Sequence, residues 1–395
     1  MENYYYPGYQ FPLKFINKKS VISTKSIHSN KYKFIKYDYS DTYYVEKNNK
    51  KIPLPSIEEI IKNATKYSKQ NMLSCFIQYL LEKEDEDGIE NFKNKILDSI
   101  KEDLYDLSTN FYGNYVIQGI LHNIDKEKNK YIFNKLIKKD ILKLCFNTYG
   151  CRVVQKLIEN SIGADEIREI LKEIKENKKL KDFFLDQNGN HVIQKIIEKL
   201  NEGELTDIYN AVLEDIPKLV KNIYGSHIIE ALLKKLQNKE NIINIVDEIF
   251  KNDIFELCKD QYGNYVLGVI LDKNHEYVKT VFEKIKGHIY ELSENKFALY
   301  SFQIIEKLIF YGNEEHKKQI CEEILKSDDK DNNYILRLIN DKCGIFLIGI
   351  IIDFCSEDII KEIFKRIKKK TKEIKKNFFF IIHKAYMRGI YYENI

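Results

Sequence analysis

A five-residue pattern returns eight times along this chain, and a repeat of that period restricts the fold to a stacked array. Six copies share one shape: Ser74-Cys-Phe-Ile-Gln78, Asn114-Tyr-Val-Ile-Gln118, Cys151-Arg-Val-Val-Gln155, Asn190-His-Val-Ile-Gln194, Ser226-His-Ile-Ile-Glu230 and Asn264-Tyr-Val-Leu-Gly268. Two looser copies follow, Phe302-Gln-Ile-Ile-Glu306 and Ile345-Phe-Leu-Ile-Gly349. Their starts are 40, 37, 39, 36, 38, 38 and 43 residues apart. A unit this short cannot bury its apolar faces alone. It must stack on the copies before and after it.

The local pattern predicts helices. In the third unit Ile132, Phe133, Leu136, Ile137, Ile141 and Leu142 fall at helical spacing, an amphipathic helix ahead of the motif. Asn147-Thr-Tyr-Gly150 then predicts a turn, with Gly150 free to take positive φ. The motif opens a second helix that buries Val153, Val154, Leu157 and Ile158. With only 5 Pro and 16 Gly in 395 residues, little interrupts helix elsewhere. The repeat array is expected over residues 56–395. Residues 1–55 form a separate extension with nine Tyr by residue 44, many Lys and Asn, and no helical period. A flexible or partly docked tail is the plain reading of that stretch; an added RNA or protein contact through Tyr and Lys is the alternative.

Within each motif, positions three and four turn toward the core. Positions one, two and five share roughly a 100° arc of the helix and are expected to face away from it together. The residue types on that arc are selective. Position five is Gln in four copies and Glu in the fifth; position one is Asn, Ser or Cys; position two is mostly planar. A planar group can stack on a base, Asn and Gln pair a donor with an acceptor, and Glu only accepts. Asn with Gln suits uracil, Glu suits the N–H donors of guanine, and a small residue with Gln leaves room for adenine. A single copy would be an ordinary solvated face; six in register form an alphabet.

These residues resemble the Pumilio (PUF) family of RNA-binding repeat proteins over about residues 60–390. The resemblance implies an all-α fold, a right-handed superhelical crescent of eight three-helix repeats with terminal caps. RNA would lie on the concave side, one base per repeat, with its 3′ end at the first repeat. Residues 378–389 look like the family's terminal capping helix. Carried over position by position, Ser74 with Gln78 resembles an adenine reader, with Cys75 a weak stacker. Asn114, Tyr115 and Gln118 resemble a uracil reader, and Cys151, Arg152 and Gln155 an adenine reader. Asn190, His191 and Gln194 resemble a second uracil reader, and Ser226, His227 and Glu230 a guanine reader. Asn264 and Tyr265 resemble a uracil reader whose Gln is lost to Gly268. Read from the sixth repeat back to the first, these spell 5′-UGUAUA-3′. Phe302, Gln303 and Glu306 keep only the acidic residue of a guanine reader, and Ile345, Phe346 and Gly349 offer no base-edge hydrogen bond. The last two repeats are expected to contact RNA weakly.

By the same resemblance the protein would bind mRNA 3′ untranslated regions as a monomer and regulate translation or decay, with protein co-regulators on the convex face. A nucleolar relative that binds RNA with little specificity, or a helical scaffold for proteins, are the competing readings. No P-loop, dinucleotide-binding turn, zinc-spaced Cys/His cluster or catalytic constellation is present in the sequence, so neither enzyme activity nor a cofactor or metal is expected. Seven scattered Cys predict free thiols in a reducing compartment, and no apolar run is long enough to span a bilayer. A soluble, cytoplasmic protein is expected, with nuclear or nucleolar placement as the second choice. The net charge of +4 does not itself indicate a nucleic-acid partner, but nine Lys or Arg between Lys361 and Lys376 form either a solvated face or a phosphate contact.

Overall fold

The computed structural model describes residues 32–390 apart from 37–41, 48–49, 84–90, 123, 161–162, 294, 327–333, 342–343 and 369–377. The Tyr-rich residues 1–31 and the 369–376 part of the basic run lie outside the described residues. The chain divides into two compact units, Met1–Ile162 and Gly163–Ile395.

A helix stands at each of the eight motif positions. In the first unit these motif helices are Asn71–Glu82, Gly113–Leu121 and Gly150–Asn160, each packed on the next. In the second unit they are Gly189–Lys199, Gly225–Lys235, Gly263–Lys273, Asn295–Tyr311 and Gly344–Phe354, again packed in series. The last of them packs against Phe378–Met387, the helix expected to close the array. The fold is an all-α helical-repeat solenoid, with one small sheet at its N-terminal side.

Apolar periodicity alone reveals two helices per unit, and the structure adds a third. The short helices Leu104–Ser108, Leu180–Leu185 and Ile254–Lys259 sit between the long first helix and the motif helix. Five or six residues span less than two turns, too few for a 3.6-residue period to register. In the third repeat the first two helices run together over Lys126–Phe146 and are separated by a kink at Asp140. The Asp140 carboxylate accepts from the Lys143 amide at 2.9 Å and so restarts the helix after the break.

The turn before the third motif helix differs from expectation. Gly150 takes no positive φ; it is the first residue of the motif helix. The need for glycine there is steric. A Cβ on Gly150 would lie 2.7 Å from the Leu144 carbonyl oxygen, on Gly113 2.8 Å from that of Leu107, and on Gly225 2.8 Å from that of Leu219. An Asn or Asp three residues before the glycine fixes the same turn. The Oδ1 atoms of Asn110, Asn147, Asp186, Asn222 and Asp260 each accept from the glycine amide and from the amide before it, at 2.7–3.0 Å. These bonds occupy two of the amides that a helix start leaves without a partner.

Part of the N-terminal extension is a three-stranded antiparallel sheet in the order β1 (Lys33–Lys36), β2 (Tyr43–Lys47), β3 (Lys50–Pro53). Tyr43 and Val45 alternate into the core, and the rings of Phe34 and Tyr43 each lie 5.3 Å from Phe76 on the first motif helix. The sheet thus covers the apolar side of the first motif helix around Phe76.

Gly225→Ala should lower stability by about 1–3 kcal/mol, the range for forced overpacking. Gly203→Ala, where an added Cβ meets nothing within 4 Å, should change it little. Urea unfolding midpoints compare the two; equal midpoints would remove the steric account.

Candidate nucleic-acid interface

Helical rotation puts positions three and four inside, as the pattern requires. Val116, Ile117, Val153, Val154, Val192, Ile193, Ile228 and Ile229 are all fully buried. Burying each such side chain contributes roughly 1.5–3 kcal/mol, so the rotation is firmly held. In the seventh copy Phe302 is buried, Gln303 half-buried, Ile304 and Ile305 buried and Glu306 half-buried. That order matches the other copies and places Phe302 at position one.

Position one does not face outward with positions two and five. Ser74, Asn114, Cys151, Asn190, Ser226 and Asn264 are at most 2% exposed. The cause is the turn. Asn114 Nδ2 donates to the carbonyls of Asn110 and Phe111 at 2.8 and 3.0 Å, Asn190 Nδ2 to that of Asp186 at 2.7 Å, and Asn264 Nδ2 to that of Asp260 at 2.6 Å. Ser74 Oγ donates to the Asn71 carbonyl at 3.0 Å. The side chain at position one is thereby folded back onto the turn that starts its helix.

Its identity then sets the amide at position five. Where position one is Asn, the Gln amide nitrogen donates to the Asn Oδ1: Gln118 to Asn114 at 2.9 Å and Gln194 to Asn190 at 2.7 Å. Where it is Ser or Cys, the same nitrogen donates to the backbone carbonyl of position one: Gln78 to Ser74 at 3.1 Å and Gln155 to Cys151 at 3.0 Å. Two amide settings therefore alternate along the motif series.

The fifth repeat carries a charge instead. His227 Nδ1 lies 3.4 Å from one Glu230 oxygen and Lys234 Nζ 3.3 Å from the other. Burial pushes the Glu230 carboxyl up, but the hydrogen bond from His227 and the Lys234 ammonium together outweigh it and hold the group below the ordinary value. Glu230 is thus an anionic acceptor. Lys234 follows it by four residues on the same helix face, a signal in the sequence that the motif alone does not include. Gln194, His227, Glu230, Ala231 and Lys234 help line a groove of about 430 Å³ between the fourth and fifth motif helices. In the seventh repeat, by contrast, burial raises the Glu306 carboxyl, with Lys307 opposing and Asp272 adding to the rise.

Position two supplies planar groups at the surface. Tyr115, Arg152, His191 and Tyr265 are half-buried and His227 is exposed. Burial, and then the charges of Glu230 and Tyr300, raise the Tyr265 phenol. Cys75 departs from its expected role: it is fully buried, as are Ser74 and almost all of Gln78, so the first repeat is closed. Ile345 is also buried and Phe346 half-buried, and Gly349 is filled against Phe380 and Lys384 of the terminal helix.

The chain is therefore a helical-repeat protein with a graded row of polar and planar side chains on its motif helices. Six stretches of it are repeats of the Pumilio family: the model of the Pumilio-family RNA binding repeat matches residues 103–137, 140–175, 185–213, 215–250, 253–267 and 304–325. The motifs of the second to fifth repeats lie wholly inside these segments. Pumilio homolog 12 of Arabidopsis thaliana is 25% identical over 66% of this chain and 42% of its own length. A Pumilio domain-containing protein of Schizosaccharomyces pombe is 25% identical over 79% of this chain and 44% of its own. The chain thus spans less than half the length of these relatives. Among solved structures, the Puf3 RNA binding domain bound to a Cox17 RNA 3′ UTR recognition sequence is 26% identical, with a TM-score of 0.72 over 84% of this chain and 96% of that one. PUF-8 in complex with PBE-RNA has the same fold at 22% identity, with a TM-score of 0.67 over 84% of this chain and 94% of that one.

Because the folded Glu230 carboxyl lies below its unfolded value, its ionic contacts support the fold at neutral pH and are lost as pH falls through the acid range, below about 4.3. Glu230→Gln should be less stable than the parent chain at pH 7, and the gap should narrow steadily as the pH is lowered below about 4.3. A gap independent of pH would rule out the ionised state.

Proposed function

We propose that this protein binds single-stranded RNA sequence-specifically, one base per repeat, with a preference for UGUAUA read from the sixth repeat back to the first. The observation that carries this is the correlated pair at positions one and five. An Asn fixes the Gln amide in one setting, a small residue fixes it in another, and a Ser accompanies an ionised Glu. A merely solvated face would not couple its residues across a turn in this way. Position one then acts on a base through position five: it sets where the Gln amide nitrogen is anchored, and so how the remaining N–H and Oε1 are placed. Adjacent donor and acceptor atoms on Gln complement uracil or adenine, and the Glu230 carboxylate complements the guanine N–H donors. Planar groups at position two, such as Tyr115, His191 and Tyr265, stack between bases for roughly 1–3 kcal/mol each.

The closed first repeat and the departing seventh and eighth make the second to sixth repeats the core of the reading. By family, the RNA is an mRNA 3′ untranslated region and the outcome is altered translation or decay in the cytoplasm. The solved Puf3 domain is itself bound to a 3′ UTR recognition sequence, and Fem-3 mRNA-binding factor 2 of Caenorhabditis elegans, 24% identical over 57% of this chain, carries mRNA binding in its name.

Titration at fixed salt tests the reading. UGUAUA should bind at least tenfold tighter than a scrambled hexamer, since each mismatch costs about 1–3 kcal/mol. Equal affinities would end the proposal. The pair Ser226→Asn with Glu230→Gln should move the second-base preference from G to U, while the other positions keep theirs.

A further inference from the structure

The sixth motif holds Asn264 and Tyr265 but has Gly268 where the other uracil-type copies have Gln. The missing amide is nevertheless present. Gln303, at position two of the seventh repeat, donates its Nε2 to Asn264 Oδ1. That is the bond Gln118 makes to Asn114 and Gln194 makes to Asn190 within their own repeats. Asn264 is held as its counterparts are, buried and with Nδ2 on the carbonyl four residues earlier. The amide thus reaches the same atom of the same residue in the same setting, but from a helix one repeat further on.

Gly268 reads differently in this light. A Cβ there would lie 3.4 Å from Lys307 Cε and 3.9 Å from both Cδ and Oε1 of Gln303. The glycine leaves open the space beside which the Gln303 amide lies. Lys307 is tied on the other side by an ion pair with Asp272 at 2.5 Å, which keeps its stem against the same space. Absence of a side chain at 268 and presence of Gln303 are complementary halves of one arrangement.

We infer that Gln303 is the position-five residue of the sixth repeat, supplied from the seventh, and that it determines the uracil preference at the first base of the site. With one N–H committed to Asn264, Gln303 retains its second N–H and its Oε1. That donor and acceptor pair matches the adjacent carbonyl oxygen and N3–H of uracil, and opposes the reversed pair of cytosine. The same assignment accounts for the seventh repeat. Its position two is committed to its neighbour, and its position one is the buried Phe302, so neither motif position offers a planar group at the surface.

This inference rests on the base-per-repeat reading, and the test separates the two. Binding of UGUAUA is compared with CGUAUA and with UAUAUA, for the parent chain, Gln303→Ala and the isosteric Gln303→Glu. The parent should prefer U over C at the first base, and G over A at the second, by about tenfold each. Both variants should bring the first ratio close to one and leave the second unchanged. If Gln303→Ala proves unstable, Gln303→Glu carries the comparison, because it keeps the shape and exchanges the N–H donors for a carboxylate oxygen. A hydrogen bond that merely tied two helices together would lower both ratios or neither. Variants that keep the parent's first-base ratio would overturn the assignment. So would a parent that reads the second base and ignores the first, with the base-per-repeat reading left standing. A parent indifferent at both bases would overturn both.

Discussion

The motif helices that begin at Gly113, Gly150, Gly225 and Gly344 start where the glycine lies against a leucine carbonyl six residues earlier, and that close approach governs the rest of the repeat. A side chain at Gly113, Gly150 or Gly225 would push the motif helix off the helix that precedes it. The Asn or Asp side chain three residues before holds the same turn through two amides, so the helix begins at one residue and in one rotation. Because the start is fixed, so is the arc on which positions two and five emerge. A five-residue alphabet can repeat only if every copy is presented at the same angle.

The buried position one follows from the same turn. Its side chain bonds to the carbonyls that the turn leaves exposed, and what it offers outward is its influence on a neighbour. An Asn takes the Gln amide onto its own oxygen, whereas Ser or Cys leaves the amide to the backbone. Chemical information thus passes from a residue with almost no surface to one that has some. In the fifth repeat a carboxylate replaces the amide, and its charge is kept by His227 and Lys234 against the cost of burial.

The period, the helical class and the identity of the paired positions were legible in the sequence because each depends on spacing along one helix. The core positions, such as Val153 and Val154, are where the pattern puts them. Four features were not legible, each for a physical reason. The short middle helices are too brief to show a period. The role of Gly150 depends on contact with Leu144 and not on its own torsion. The sheet near the N-terminus rests on alternation over very short strands, with Tyr43 and Val45 inward, inside a stretch whose composition hides it. The position-one residues face inward because Asn Nδ2 and Ser Oγ find carbonyls behind them, a preference that a helical-wheel argument does not contain.

The bond between Gln303 and Asn264 also bears on how such an array can be rearranged. Repeat proteins are commonly pictured as interchangeable bricks, to be duplicated, deleted or shuffled at their boundaries. Here one boundary is crossed by a shared component. A duplication or insertion between the sixth and seventh units would part Asn264 from its amide, and a transplanted sixth unit would arrive incomplete. Descent, and any attempt at redesign, would have to carry these two bricks together as a single inherited block.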